Sequence, residues 1–171
     1  MTEPSPWVLR WAALVAEGPV LDLACGEGRH ARLFAALGHE VVAVDRNADA
    51  LESLAGLPRV RVLRADLEDG SPWPLAGRTF GAVVVTNYLH RPLFPAILAS
   101  LAPGGVLIYE TFMLGNERYG KPSNPQFLLR AGELWSELGA KLEVRAFEQG
   151  QVAQPKPAMI QRLCAISGRI R

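Results

Sequence analysis

The densest set of groups able to do chemistry lies in Val20-Leu21-Asp22-Leu23-Ala24-Cys25-Gly26-Glu27-Gly28-Arg29-His30. An apolar run carries an acid near its end, two glycines follow, and a helical pattern begins. A strand, a glycine turn and a helix in that order make a site for a nucleotide-like ligand. Gly26 to Ala31 fits G-x-G-x-x-[GA], and Asp45 lies at the distance of an acid that holds a ribose. Taken alone, this fits a dinucleotide. Against that stands Asp22, a carboxylate poorly suited to a pyrophosphate but able to accept hydrogen bonds from a cationic ligand. A second acid, Asp66, follows the third apolar segment.

Three histidines add acid–base capacity. His30 opens a helix beside the glycine turn, and His90 follows a β-branched run. Each is equally readable as a hydrogen-bonded structural residue. His39 reads as a turn residue. Three dispersed histidines and two distant cysteines, Cys25 and Cys164, lack metal-ligand spacing, so no metal site is expected. The cysteines form no disulfide framework and read as buried thiols in a reducing cytosol.

The elements that must hold these groups alternate. Ser5 and Pro6 form a helix entry, with Ser5 as N-cap, and Trp7 to Ala16 has helical spacing up to Gly18-Pro19. This helix either packs on the sheet or covers the ligand. Strands are expected at Val20 to Ala24, Glu40 to Val44, Arg59 to Leu63, Phe80 to Thr86 and Val106 to Thr111. Helices are expected at Gly28 to Leu37, Ala48 to Ala55, Pro92 to Leu101 and about Ala131 to Leu138. Ser71-Pro72-Trp73-Pro74-Leu75 reads as a loop. Alternating strands and helices imply a parallel sheet with right-handed crossovers. Lys141 to Glu148 and Ala158 to Ser167 are strand-like with no helix between them, so they should pair antiparallel. Phe112 to Phe127 is long and irregular, which marks it as a candidate substrate loop.

At 171 residues with 49 % apolar content, one domain over 1–171 with a sizeable core is expected. The net charge of +1 and scattered arginines (Arg59, Arg61, Arg64, Arg162, Arg169, Arg171) give no strong nucleic-acid signal. No run of about 18 apolar residues suggests a membrane span, and the N-terminus does not read as a secretory signal. A cytoplasmic protein is the expectation, with the choice between monomer and homodimer open.

Asp22-Leu23-Ala24-Cys25-Gly26-Glu27-Gly28 resembles the first motif of the class I S-adenosylmethionine-dependent methyltransferases. Asp45, Ala65-Asp66-Leu67, Asn87-Tyr88 and Leu101-Ala102-Pro103-Gly104-Gly105 match the family's later landmarks in order, and the closing antiparallel pair is also its habit. Ala24 departs from the family's usual glycine but is small enough to admit a ligand. The resemblance implies a Rossmann-like three-layer α/β sandwich around a seven-stranded, mostly parallel sheet. It implies S-adenosylmethionine as cofactor, held by Asp22, Ala24, Cys25, Gly26, Gly28, Asp45, Arg46, Asp66, Leu67, Asn87 and Leu89. Asp45 would accept from two ribose hydroxyls and Asp66 from the adenine amino group. Leu67 and Leu89 would cover the base.

Methyl transfer from a sulfonium is an in-line displacement that positioning and desolvation can drive, and a base is needed only for a protonated nucleophile. Candidate catalytic residues are His90, Tyr88 and His30. Arg91, Glu110 and Tyr119 are candidates for substrate binding, with Arg118 and Lys121 able to attract an anionic acceptor. Asn87-Tyr88-Leu89-His90 is not the Asn-Pro-Pro-Tyr signature of enzymes that methylate planar amino groups. In size and layout the chain is similar to small tellurite-resistance methyltransferases, which points to a small-molecule acceptor. RNA or protein methylation, a non-catalytic partner module and, third, a nicotinamide-binding protein are the alternatives.

Overall fold

The computed structural model describes residues 2–168; Arg169 and Arg171 lie outside the described residues. Seven strands form: β1 (Val20–Leu23), β2 (Val41–Asp45), β3 (Val60–Arg64), β4 (Phe80–Thr86), β5 (Leu101–Phe112), β6 (Glu143–Val152) and β7 (Ala158–Ile166). They make one sheet in the order β3-β2-β1-β4-β5-β7-β6. β1 to β5 are parallel, and β7 runs antiparallel to both its neighbours. The Rossmann-like fold and its antiparallel closing pair are therefore as expected, with β7 inserted between β5 and β6.

Side-chain alternation distributes the core. Leu21, Leu23, Val42, Val44, Val83 and Val85 point to one face, where α4 (Phe94–Ala99) and α5 (Glu133–Glu137) pack. Val20, Val41, Ala43, Ala82 and Val84 point to the other. There they meet α1 (Pro6–Trp11), α2 (Arg29–Ala36) and α3 (Ala48–Glu52) through Trp7, Val8, Ala31, Phe34 and Leu51. The α1 start is as read: the Ser5 hydroxyl accepts the Trp7 N–H at 3.1 Å, with Pro6 in the first turn. That helix is shorter than expected, passing into a 3₁₀ turn at Ala12–Leu14.

The helix expected from Pro92 to Leu101 is also shorter. A 3₁₀ turn, Arg91–Leu93, precedes α4, and Leu101 is already paired with Phe80 in the sheet. Between β3 and β4 the chain forms no helix, so the Ser71–Leu75 loop lies where a crossover helix would stand. The segment after β5 carries two 3₁₀ turns, Asn116–Arg118 and Pro125–Phe127. Buried Asn116 anchors it, donating to the Pro122 carbonyl and accepting the Met159 N–H from β7.

Candidate functional site

The strand order reverses between β1 and β4, and each of these strands is followed directly by a left-handed residue that is not glycine: Ala24 (φ 53°) and Asn87 (φ 53°). For alanine this costs about 1–2 kcal/mol, and strain of this kind concentrates at functional sites. A cleft of about 230 Å³ opens at this point, beyond the C-terminal ends of the strands. Ala24 and Gly26 line it from the turn after β1, and Asp45 and Arg46 from the end of β2. Ala65, Asp66, Leu67 and Glu68 follow β3, and Asn87 and Tyr88 follow β4.

Backbone donors organise its acids. One Asp45 oxygen accepts the Gly26 N–H at 2.8 Å and the other accepts the Asn47 N–H at 2.9 Å. Each oxygen keeps a second lone pair for a ligand hydroxyl. Asp66 accepts the Glu68 N–H at 2.9 Å. A Cβ on Gly26 would meet nothing within 4 Å, so the turn is open on the cleft side. Three carboxylates against one guanidinium give the cleft an acidic rim suited to a cation.

Glu68 is a cleft residue that sequence reasoning missed. Its carboxylate accepts the Tyr88 hydroxyl at 3.3 Å and stands 3.4 Å from His90 Nδ1, joining the loops after β3 and β4. The only sequence signal was its place in the acidic stretch Asp66 to Asp69. Burial and the neighbouring Glu68 charge raise the Tyr88 pKa, so its hydroxyl stays protonated. His90 stands beside Glu68 and lines a second cavity behind the loop.

Several expected site residues lie elsewhere, each for a physical reason. Asp22 is buried inside β1, where it accepts the Ala31 N–H at 2.9 Å. Burial pushes its pKa up to about 8, which makes it a poor countercharge at neutral pH. Gly28 serves packing: a Cβ there would stand 2.4 Å from the Leu54 side chain. The Cys25 N–H donates to the Val44 carbonyl, and burial raises the thiol pKa. Leu89 is in the core.

His30 is buried and its Nε2 accepts the Ser5 N–H at 3.0 Å; burial, then the Arg29 charge, lower its pKa to about 3. It is a neutral anchor for the N-terminal segment and has no lone pair left there for a base. Glu110 accepts from the Ser5 hydroxyl at 2.9 Å and is ion-paired with Arg162. Arg91 makes a bidentate pair with Glu133 at 2.6 and 3.0 Å and donates to the Gln126 and Leu128 carbonyls. Burial alone would raise the Glu133 pKa, but the bonds from Arg91 and the Arg130 N–H hold it below the usual range. Tyr119 is exposed beneath the Arg118 guanidinium. Among the described residues no cluster of His, Cys, Asp and Glu is placed to hold a metal, and no helix is long and apolar enough to cross a membrane.

A family model described as a methyltransferase domain matches residues 20–105, just over half of the chain. Trans-aconitate 2-methyltransferase from Paracidovorax citrulli (strain AAC00-1) is 33 % identical over 114 residues, which cover 62 % of this chain and 43 % of that protein. The chain thus spans less than half the length of the curated relatives it matches. TehB from Haemophilus influenzae superimposes with a TM-score of 0.80 at 18 % identity, covering 98 % of this chain and 63 % of that one. A SAM-dependent methyltransferase from Methanosarcina mazei gives a TM-score of 0.72 at 15 % identity, covering 99 % of this chain and 100 % of the other. At these identities the structural likeness speaks for the fold.

Proposed function

This chain belongs to the methyltransferase domain family, and we propose that it is an S-adenosylmethionine-dependent enzyme that methylates a small-molecule acceptor. The observation that carries the donor assignment is the Asp45–Gly26 link, which sets a carboxylate against an open glycine turn inside an acidic cleft. These groups fit the donor: lone pairs for ribose hydroxyls, free space over Gly26, and a negative rim for a sulfonium.

Asp45 receives the ribose, Asp66 and the Leu67 N–H meet the adenine edge, and Arg46 and Tyr88 flank the base. Ala24, Gly26 and Asn87 surround the methionine part. Bound there, S-adenosylmethionine supplies an activated methyl group, and S-adenosylhomocysteine is the product. The chain's own task is to orient the donor and exclude water. His90 stays beside the cleft as the candidate acceptor contact, and any base role falls to it. The relative named for trans-aconitate supports a small acceptor.

Calorimetry with S-adenosylmethionine, S-adenosylhomocysteine and NAD tests the donor. Binding of the first two and not NAD is expected; selective NAD binding would overturn it. One observation favours a non-catalytic partner module instead: His30, Arg91 and Glu110 are all committed to internal contacts. Product detection across small carboxylates, thiols, oxyanions, phenols and amines separates the two, since turnover on none of them would support the module.

A further inference from the structure

A second cavity, of about 340 Å³, lies behind the Ser71–Leu75 loop and shares Asp66, Leu67 and Glu68 with the donor cleft. The crossover from β3 to β4 forms no helix, and its loop, with the proline-bracketed Trp73, lines the cavity together with Ala96 of α4. Trp73, Pro92 and Leu93 supply flat apolar walls, and Asp66, Glu68 and His90 line its polar side. No lysine or arginine lines it. An indole face together with carboxylates that no lysine or arginine of the lining opposes is the chemistry that selects organic cations. The volume falls in the range of small-molecule sites, which runs from about 300 to 1,000 Å³.

We propose that this cavity is a second ligand site, distinct from the donor cleft, for a flat organic cation such as an aromatic amine or amidine. Glu68 is its anion: one carboxylate faces both cavities and already bridges Tyr88 and His90. The ligand's cationic edge pairs with Glu68 and its ring lies against Trp73. Trp73, His90, Pro92 and Leu93 line this cavity and not the donor cleft, while Asp66, Leu67 and Glu68 are common to both.

The test uses three molecules of one shape and different charge on the intact protein: benzamidine, benzamide and benzoate. Tryptophan fluorescence and calorimetry should show benzamidine binding with quenching, benzamide weaker by about tenfold and benzoate not at all. Glu68→Gln should weaken benzamidine by about tenfold, and Trp73→Phe should remove the quenching. Asp45→Ala should leave benzamidine binding unchanged. Absence of benzamidine binding, benzoate binding as tightly, or quenching that survives Trp73→Phe would each overturn the proposal. Loss of benzamidine binding in Asp45→Ala would assign the cation to the donor cleft and overturn it equally.

Discussion

Asp45 accepts the Gly26 N–H at 2.8 Å, so the end of β2 holds the turn after β1 in its open, left-handed form. One carboxylate thereby shapes the turn and offers lone pairs to the ligand. Asp45→Ala should lower affinity for S-adenosylhomocysteine by about ten- to a hundredfold, the loss of one or two hydrogen bonds to a charged group. Titration calorimetry reads this directly. Unchanged affinity would remove Asp45 from the donor site.

The two glycines of the turn should fail in different ways. Gly28→Ala adds a clash with Leu54 to the left-handed strain and should cost about 2–4 kcal/mol of stability. Gly26→Ala meets no neighbour, so it should cost about 1 kcal/mol, from its φ of 55°, while blocking the donor. Urea melts paired with calorimetry separate the effects. Similar stability losses for the two variants would contradict the assignment.

Asp22 predicts a stability loss on the alkaline side. Burial raises its folded pKa to about 8 from the ordinary 3.8, so the native state binds the extra proton. Stability from this group is complete below pH 3.8 and falls as pH rises toward 8. His30 works in the opposite sense, losing stability as pH falls from 6.5 toward 3. Between pH 6.5 and 8 Asp22 acts without His30, and Asp22→Asn should flatten that part of the stability profile measured by denaturant melts. An equal slope in wild type and variant would sink this account.

Arg91 predicts a loss that its charge alone does not rescue. Arg91→Ala removes both guanidinium bonds to the buried Glu133 carboxylate, leaves it only its Arg130 contacts, and should cost about 2 kcal/mol. Arg91→Lys should recover little, because the pair is bidentate and the same guanidinium also reaches the Gln126 and Leu128 carbonyls. Thermal melts of the two variants check this, and a Lys variant as stable as wild type would argue against it.

Local patterns were legible where one element decides the outcome. The β-branched run Phe80 to Thr86 became β4 over the same residues, and the acids Asp45 and Asp66 reached the cleft because each stands where a strand ends. What local pattern could not reveal were choices made by distant partners. Gly28 answers to Leu54, His30 to Ser5, and Arg91 to Glu133 across 42 positions. Glu68 escaped notice because a charged loop residue has no period. Only the fold brings it between Tyr88 and His90.

The insertion of β7 between β5 and β6 also dictates an order of assembly. On a chain emerging from its N-terminus, β1 to β5 can pair while β5 still presents a bare edge. β6 is made next but has no strand partner in that sheet; among the described residues it pairs only with β7. The last strand must therefore arrive first at the sheet, or arrive with β6 as a preformed hairpin. Docking then delivers Arg162 to Glu110, which the Ser5 hydroxyl also holds. Ser5 and Arg162 thus meet on one carboxylate, and β7 must be made before that junction can close.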